Sequence, residues 1–336
     1  MGKGIAVAGD MVLDIIKIIS RFPERHGLVR IEEKSFALGG AVNNTGRDLA
    51  ALDPDMPVRL IGMIGEDGEG DEVLRQLAAY KNIDTSMVLR EGQTSFTVVL
   101  TEQDSRVRSF LFYAGSNGTF DRQHVDVERL DCDLFHVGYI LLLDALDAPD
   151  PDYGTRMARL LHDVQARGIP TSVDVVSEVG NRYATLVPPA LKYADYFIVN
   201  EIESGRTVGI SLRDENDRLL VDRIPEVLHR LKDMGVKRWV VIHAPEGGFG
   251  LDERGNYVAL PSLRLPDGFI VGTVGAGDAF CAGVLHAAYK GEDLRQAIAD
   301  GIASAACSLQ AAGASEAMRT VDEVRALYAR MPKQVL

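Results

Sequence analysis

Cysteine is scarce in this 336-residue chain, which has only Cys132, Cys281 and Cys307. The number is odd and no C-x-x-C occurs, so neither a disulfide framework nor a zinc knuckle is indicated. Positive charge is also in deficit. Lysine and arginine number 36 against 49 aspartates and glutamates, a formal net charge of −13. Such a surface repels phosphodiester backbones and anionic lipid, so nucleic acid and membranes are not expected partners. Long apolar runs are missing too. The N-terminal MGKGIAVAGD is too short in its apolar part for a signal-peptide core. The 15 uncharged residues 301–315 are mostly small and fall short of the about 20 apolar residues a spanning helix needs. The chain therefore reads as soluble, reducing and cytoplasmic. Repeats and low-complexity tracts are absent. What remains is an ordinary globular balance, 46% apolar and 25% charged. The length suits two domains or one large α/β domain with an insertion.

Short β-rich runs alternate with amphipathic helical stretches. Strands are predicted at 4–9, 58–64, 134–137, 170–175, 196–199 and 239–242, and helices at 41–52, 70–80, 153–167 and 224–234. That alternation means βαβ units and a mostly parallel sheet with helices on both faces. Residues 15–36 and 94–113 break the pattern, because apolar residues there alternate with polar ones. A period of two marks half-exposed antiparallel strands. Both segments lie between core elements, so they read as one small sheet inserted twice, placed to act as a lid. Residues 211–225 are rich in charge and read as a solvated connection.

The most informative stretch is VGTVGAGDAFCAGVL at 271–285. Glycines at 272, 275 and 277 keep its first part from being helical, whereas the part from Asp278 onward suits a helix. The first N–H groups of a helix have no intrahelical acceptor, and with the helix dipole they form an anion site. Gly275, Ala276 and Gly277 are small enough to let a phosphate reach the backbone. Asp278 serves either as a helix N-cap or as a base taking a proton from a hydroxyl beside the anion hole. A Walker-type G-x-x-x-x-G-K-[ST] loop is absent, and GAGDAF lacks the G-x-G-x-x-G dinucleotide fingerprint.

Five motifs in order now carry a resemblance. They are GDMVLD at 9–14, GGAVNN at 39–44, YAGSN at 113–117, NEIE at 200–203 and GAGDAFCAG at 275–283. Together they resemble the ribokinase-like (PfkB) carbohydrate kinase family over nearly the whole chain. The resemblance implies a three-layer α/β/α fold with a β-sheet lid. The core would comprise residues 1–14, 38–91 and 114–336, and the lid 15–37 and 92–113. It implies ATP-dependent phosphorylation of a hydroxyl on a small sugar-like molecule. Asp278 would be the general base and the Gly275, Ala276 and Gly277 backbone the anion hole. Asp14, Gly39, Gly40 and Asn44 would hold the acceptor, with Asp10 a competitor for the role of Asp14. Asn200, Glu203, His243, Gly248 and Thr273 would serve the nucleotide, and Glu203 would associate with Mg²⁺. Many relatives also pair as dimers through the lid, so a homodimer is expected.

Departures refine these expectations. Gly272 stands where the family often has an aspartate that helps bind a monovalent cation, which puts potassium activation in doubt. His243 stands where threonine is common. Ala41 replaces a lysine frequent after the paired glycines, which favours an uncharged acceptor, although Arg106 and Arg108 could still supply charge. Two alternatives remain. One is a nucleoside kinase using Phe36, Phe96, Phe110, Phe112 or Tyr113 as a base platform. The other is a catalytically silent sugar or nucleotide sensor.

Overall fold

The two hydrophobic periods sort into two sheets. The computed structural model describes residues 3–105 and 107–336, so Arg106 lies outside the described residues. Nine strands form the main sheet, in the order Tyr257–Pro261, Gly247–Leu251, Trp239–Ala244, Tyr196–Asn200, Thr171–Val175, Leu134–Ile140, Ile5–Gly9, Val58–Ile64 and Ile83–Arg90. The seven strands from Trp239–Ala244 to Ile83–Arg90 run parallel. Except in the edge strand Ile83–Arg90, their side chains are buried on both faces: Ile5, Val7, Leu60, Val173 and Val241 belong to two apolar clusters on opposite sides of the sheet. Ile5–Gly9 is the switch point. The chain first winds outward through Val58–Ile64 and Ile83–Arg90, then returns to build the other side from Leu134–Ile140. In such sheets the ligand crevice lies beyond the carboxyl ends of the strands at the switch.

Two edges escape the sequence pattern. Trp239–Ala244 does not end the series, because Gly247–Leu251 and Tyr257–Pro261 add two antiparallel strands. Ile83–Arg90 is also a strand, although Asp84, Ser86 and Arg90 dilute its apolar signal.

The smaller sheet has four strands, in the order Ile31–Gly39, Val12–Ile19, Phe96–Glu102, Arg108–Tyr113. Its outer pairs are antiparallel, but the central pair, Val12–Ile19 with Phe96–Glu102, is parallel. Each insertion leaves the core on a strand running the same way, so the two hairpins meet side by side. Every residue of Arg108–Tyr113 is exposed. Among the described residues no helix is long and apolar enough to cross a membrane.

Candidate active site

The carboxyl ends of the central strands deliver a ring of polar side chains to one crevice. Asp10 follows Ile5–Gly9, Tyr139 and Asp174 stand near the ends of their strands, and Asn200 and His243 complete the arc. Two helices point their N-termini at it: Ala41–Leu52, entered through Gly40 at φ +86°, and Ala276–Lys290, entered through Gly275 at φ +76°. Both positions need glycine, since a left-handed φ is costly for other residues. A Cβ at Gly275 would also lie 2.7 Å from the Ala314 Cα. The first backbone bond of the second helix runs from Ala279 N–H to Gly275 C=O. The N–H groups of Ala276, Gly277 and Asp278 therefore precede it, as an anion hole requires.

Asp278 is buried at this helix start. The Tyr139 hydroxyl donates to its Oδ1 at 2.5 Å, and the Asn44 amide donates to its Oδ2 at 2.9 Å. Burial pushes its pKa above the usual carboxylate range, and these two donors pull it back. It makes no side-chain cap to its own helix. Each carboxylate oxygen keeps a second lone pair for a hydroxyl. Asn44 Oδ1 is buried without a partner and can accept from the same ligand.

Asp14 sits on the inner hairpin with its carboxylate against Gly39, 3.0 Å from where a Cβ would be. Burial raises its pKa to about 6, opposed by the Thr97 hydroxyl. Asp10 lies deeper. Its Oδ1 accepts from Ala41 N–H at 3.0 Å, and its Oδ2 has no partner and sits where a Cβ on Gly40 would clash. Burial raises Asp10 to about 7. Asn117 ties the lid to the core: its side chain accepts from Met11 N–H and donates to Met11 C=O.

Residues 200–203 begin a helix and are not extended. Asn200 caps Glu201–Val208, accepting from Ile202 and Glu203 N–H, while Glu203 Oε2 accepts from Asn200 N–H. The capping box leaves Glu203 Oε1 to accept from Ser177 Oγ at 2.7 Å. Burial pushes Glu203 up to about 7. Glu201 turns the other way, to Arg213, which also holds Glu246. Arg213 is thus a largely buried clamp, unlike the solvated connection the sequence suggests.

Two cavities share a wall made of Asn200, His243, Thr273, Ala276 and Gly277. One, of about 650 Å³, is mainly apolar and lined by Leu263, Leu265, Ile270, Phe280, Ile302 and Leu309. The other, of about 200 Å³, is lined by Asp278, Asp174, Glu203, Tyr139 and Gly275. His243 packs on Phe280 with ring centroids 4.8 Å apart, and burial keeps it neutral by lowering its pKa to about 4. Gly248 is not brought to either wall; it lies under Ile298 and Phe280. Its small size serves strand–helix packing.

Tyr139, Asp174 and Ser177 are absent from the sequence-derived set. Asp174 had a usable signal, as a polar residue at the carboxyl end of the predicted 170–175 strand, whereas Tyr139 lies two residues beyond the predicted 134–137 strand, which continues to Ile140. Asp174 Oδ1 is buried without a partner, beside Glu203 in the small cavity. This oxygen-donor set fits Mg²⁺, which keeps several waters and takes few carboxylates.

The pfkB family carbohydrate kinase model matches residues 3–321. An ATP-dependent ribose-1-phosphate kinase from Halopiger xanaduensis is 27% identical over 95% of this chain and 96% of its own. The structure of Arabidopsis thaliana ribokinase complexed with ribose and ATP superposes with a TM-score of 0.80 at 20% identity, covering 98% of this chain and 99% of that one. Phosphofructokinase-2 from Escherichia coli in complex with potassium gives 0.75 at 18% identity, over 98% and 99%. The chain has the ribokinase fold and belongs to the pfkB family of carbohydrate kinases.

Proposed function

We propose that this kinase transfers the γ-phosphoryl group of ATP to a hydroxyl of a ribose-type sugar, with Asp278 as general base. The observation that carries the reading is the junction of the two cavities. The larger, apolar cavity suits a purine and its ribose, and it shares the wall that includes Thr273, Ala276 and Gly277 with the smaller, carboxylate-lined chamber. Asp278 stands on that wall with its two donors already in place. Nucleotide phosphates lie over the helix N-terminus, where Ala276 and Gly277 N–H groups meet the charge that develops on transfer.

Asp14, the turn at Gly39 and Gly40, and Asn44 orient the acceptor. One sugar hydroxyl donates to Asp14 and the reacting one to Asp278, which then takes its proton. Glu203 and Asp174 are the residues that would hold Mg²⁺, which screens the charge of the phosphates. The acceptor of the Halopiger relative, ribose 1-phosphate, argues for a pentose here. Ala41 at the turn leaves no cation at that position, which favours the unphosphorylated sugar.

Turnover is independent of potassium in this reading. A Cβ at Gly272 would lie 2.6 Å from the Ala311 carbonyl oxygen, so the loop fills the space an aspartate side chain needs. The lid edge supplies the partner surface. Phe110, Leu111, Phe112 and Tyr113 are consecutive and exposed on an edge strand that pairs with Phe96–Glu102 on one side only, an arrangement that invites pairing with a second copy.

The test is a coupled ADP-release assay with Mg·ATP against ribose, ribose 1-phosphate, deoxyribose, hexoses and nucleosides. Turnover that depends on a pentose supports the reading. Turnover with nucleosides alone moves the assignment to a nucleoside kinase. No turnover with any acceptor, with ATP binding intact, leaves a silent sensor. Light scattering checks the dimer: a monomeric mass for the wild type rejects it.

A further inference from the structure

His136, Asp174 and Cys281 meet beneath the catalytic chamber. The Leu134–Ile140 and Thr171–Val175 strands pair so that His136 faces Ser172. His136 Nδ1 lies 3.1 Å from Ser172 Oγ, which occupies that nitrogen. Nε2 is left 3.7 Å from Asp174 Oδ2 and 4.0 Å from Cys281 Sγ. The three donor atoms all fall within 4.8 Å of one another. Every one of these residues is buried. Asp174 Oδ1, without a partner, and Cys281 both border the 200 Å³ cavity. Asp278, Glu203 and Asp10 surround Asp174 and add negative potential. Cys281 is one helical turn beyond Asp278 on the same helix.

We propose that His136 Nε2, the Asp174 carboxylate and Cys281 Sγ form a three-ligand site for a thiophilic divalent cation, Zn²⁺ above all, with its fourth position open to the chamber. A nitrogen, oxygen and sulfur set with one open position matches zinc, whereas Mg²⁺ takes oxygen donors. Zinc bonds of about 2.0–2.3 Å set tetrahedral donor separations of about 3.3–3.6 Å. The two separations from His136 Nε2 therefore close by a few tenths of an ångström, and the Asp174–Cys281 pair, within 4.8 Å, by at most about 1.5 Å. Cys281 binds as the thiolate, and its proton passes to solvent. The Ser172 contact at Nδ1 is the outer-shell partner that orients a ligating imidazole. Zinc at this place shares Asp174 with the Mg²⁺ position and blocks phosphoryl transfer. Only that last consequence rests on the function proposed above; the binding does not.

The probe is Co²⁺, titrated into the full-length protein without nucleotide or Mg²⁺ and followed by absorption. The expected result is one equivalent bound, with a near-ultraviolet thiolate-to-cobalt charge-transfer band and strong visible bands of a four-coordinate ion. Excess Mg²⁺ leaves the spectrum in place. Cys281→Ala abolishes the charge-transfer band, and His136→Gln weakens binding by at least the roughly 10–100-fold typical of outer-shell changes. A weak six-coordinate spectrum in the wild type, or a band that persists in Cys281→Ala, overturns the proposal. X-ray absorption of the zinc-loaded wild type needs no variant to fold: one sulfur in the shell supports the site and an all-oxygen shell rejects it. Zinc inhibition of ADP release, relieved in Cys281→Ala, reads the consequence separately.

Discussion

Tyr139→Phe removes one hydroxyl and nothing else from the catalytic wall. That hydroxyl donates to Asp278 Oδ1 at 2.5 Å inside a buried site. It favours the ionised base, against the burial that pushes the Asp278 pKa up. A hydrogen bond to a charged group is worth about 1.5–3 kcal/mol. In the ionisation equilibrium of Asp278 this corresponds to roughly 10- to 100-fold. A base works only when deprotonated, so the variant loses activity chiefly at the acid end. The acid limb of kcat/KM moves to higher pH, and the rate recovers toward wild type as the pH rises. The assay is kcat/KM for the acceptor across the pH range, at saturating Mg·ATP. An acid limb unmoved in Tyr139→Phe, or a loss equal at all pH values, refutes the reasoning that the phenol tunes the base.

Wild-type turnover is expected to be the same in potassium and in a bulky organic cation of equal ionic strength; stimulation by potassium contradicts the packing argument at position 272. Gly272→Asp forces a side chain into the Ala311–Ala312 backbone, so it destabilises by about 1–3 kcal/mol, as overpacking does, and denaturant melts read the cost. Ligand-free stability should fall as pH rises from about 6.5 to 8. Burial holds Asp10 and Glu203 near 7 in the folded state, so the native protein binds protons there that the unfolded chain has already released. His136 and His243, lowered by burial to about 3 and 4, act in the opposite sense, mostly below their ordinary 6.5 and fading above it, so the two carboxylates dominate the window. A melting temperature that rises across that window contradicts the burial of these carboxylates.

Much of the core was legible because apolar periodicity reports burial directly. The predicted 41–52 helix and 58–64 strand match Ala41–Leu52 and Val58–Ile64. The insertion of a small sheet was legible too, since half-exposed strands alternate. Its parallel central pairing was not, because periodicity says which face is wet and nothing about direction. Ile83–Arg90 hid behind Asp84 and Ser86, whose polarity an edge strand tolerates. At the site, the glycine loop and Asp278 could be read from local chemistry. The partners of Asp278 could not, since Asn44 and Tyr139 are 234 and 139 residues away along the chain. Asn200–Glu203 shows the limit of a motif: the residues form a capping box as well as bordering the small cavity, and sequence alone did not separate the two roles.

In the proposed reaction everything turns on Asp278 taking the proton from the acceptor hydroxyl. The most direct measurement compares kcat of wild type and Asp278→Asn with the acceptor found in the ADP-release screen, alongside calorimetric binding of ATP. The amide keeps the shape and removes the base, and general-base help is typically worth 10²–10⁴-fold. The expected result is a loss of kcat on the order of that range or larger, with ATP affinity preserved. An unchanged kcat in Asp278→Asn contradicts it.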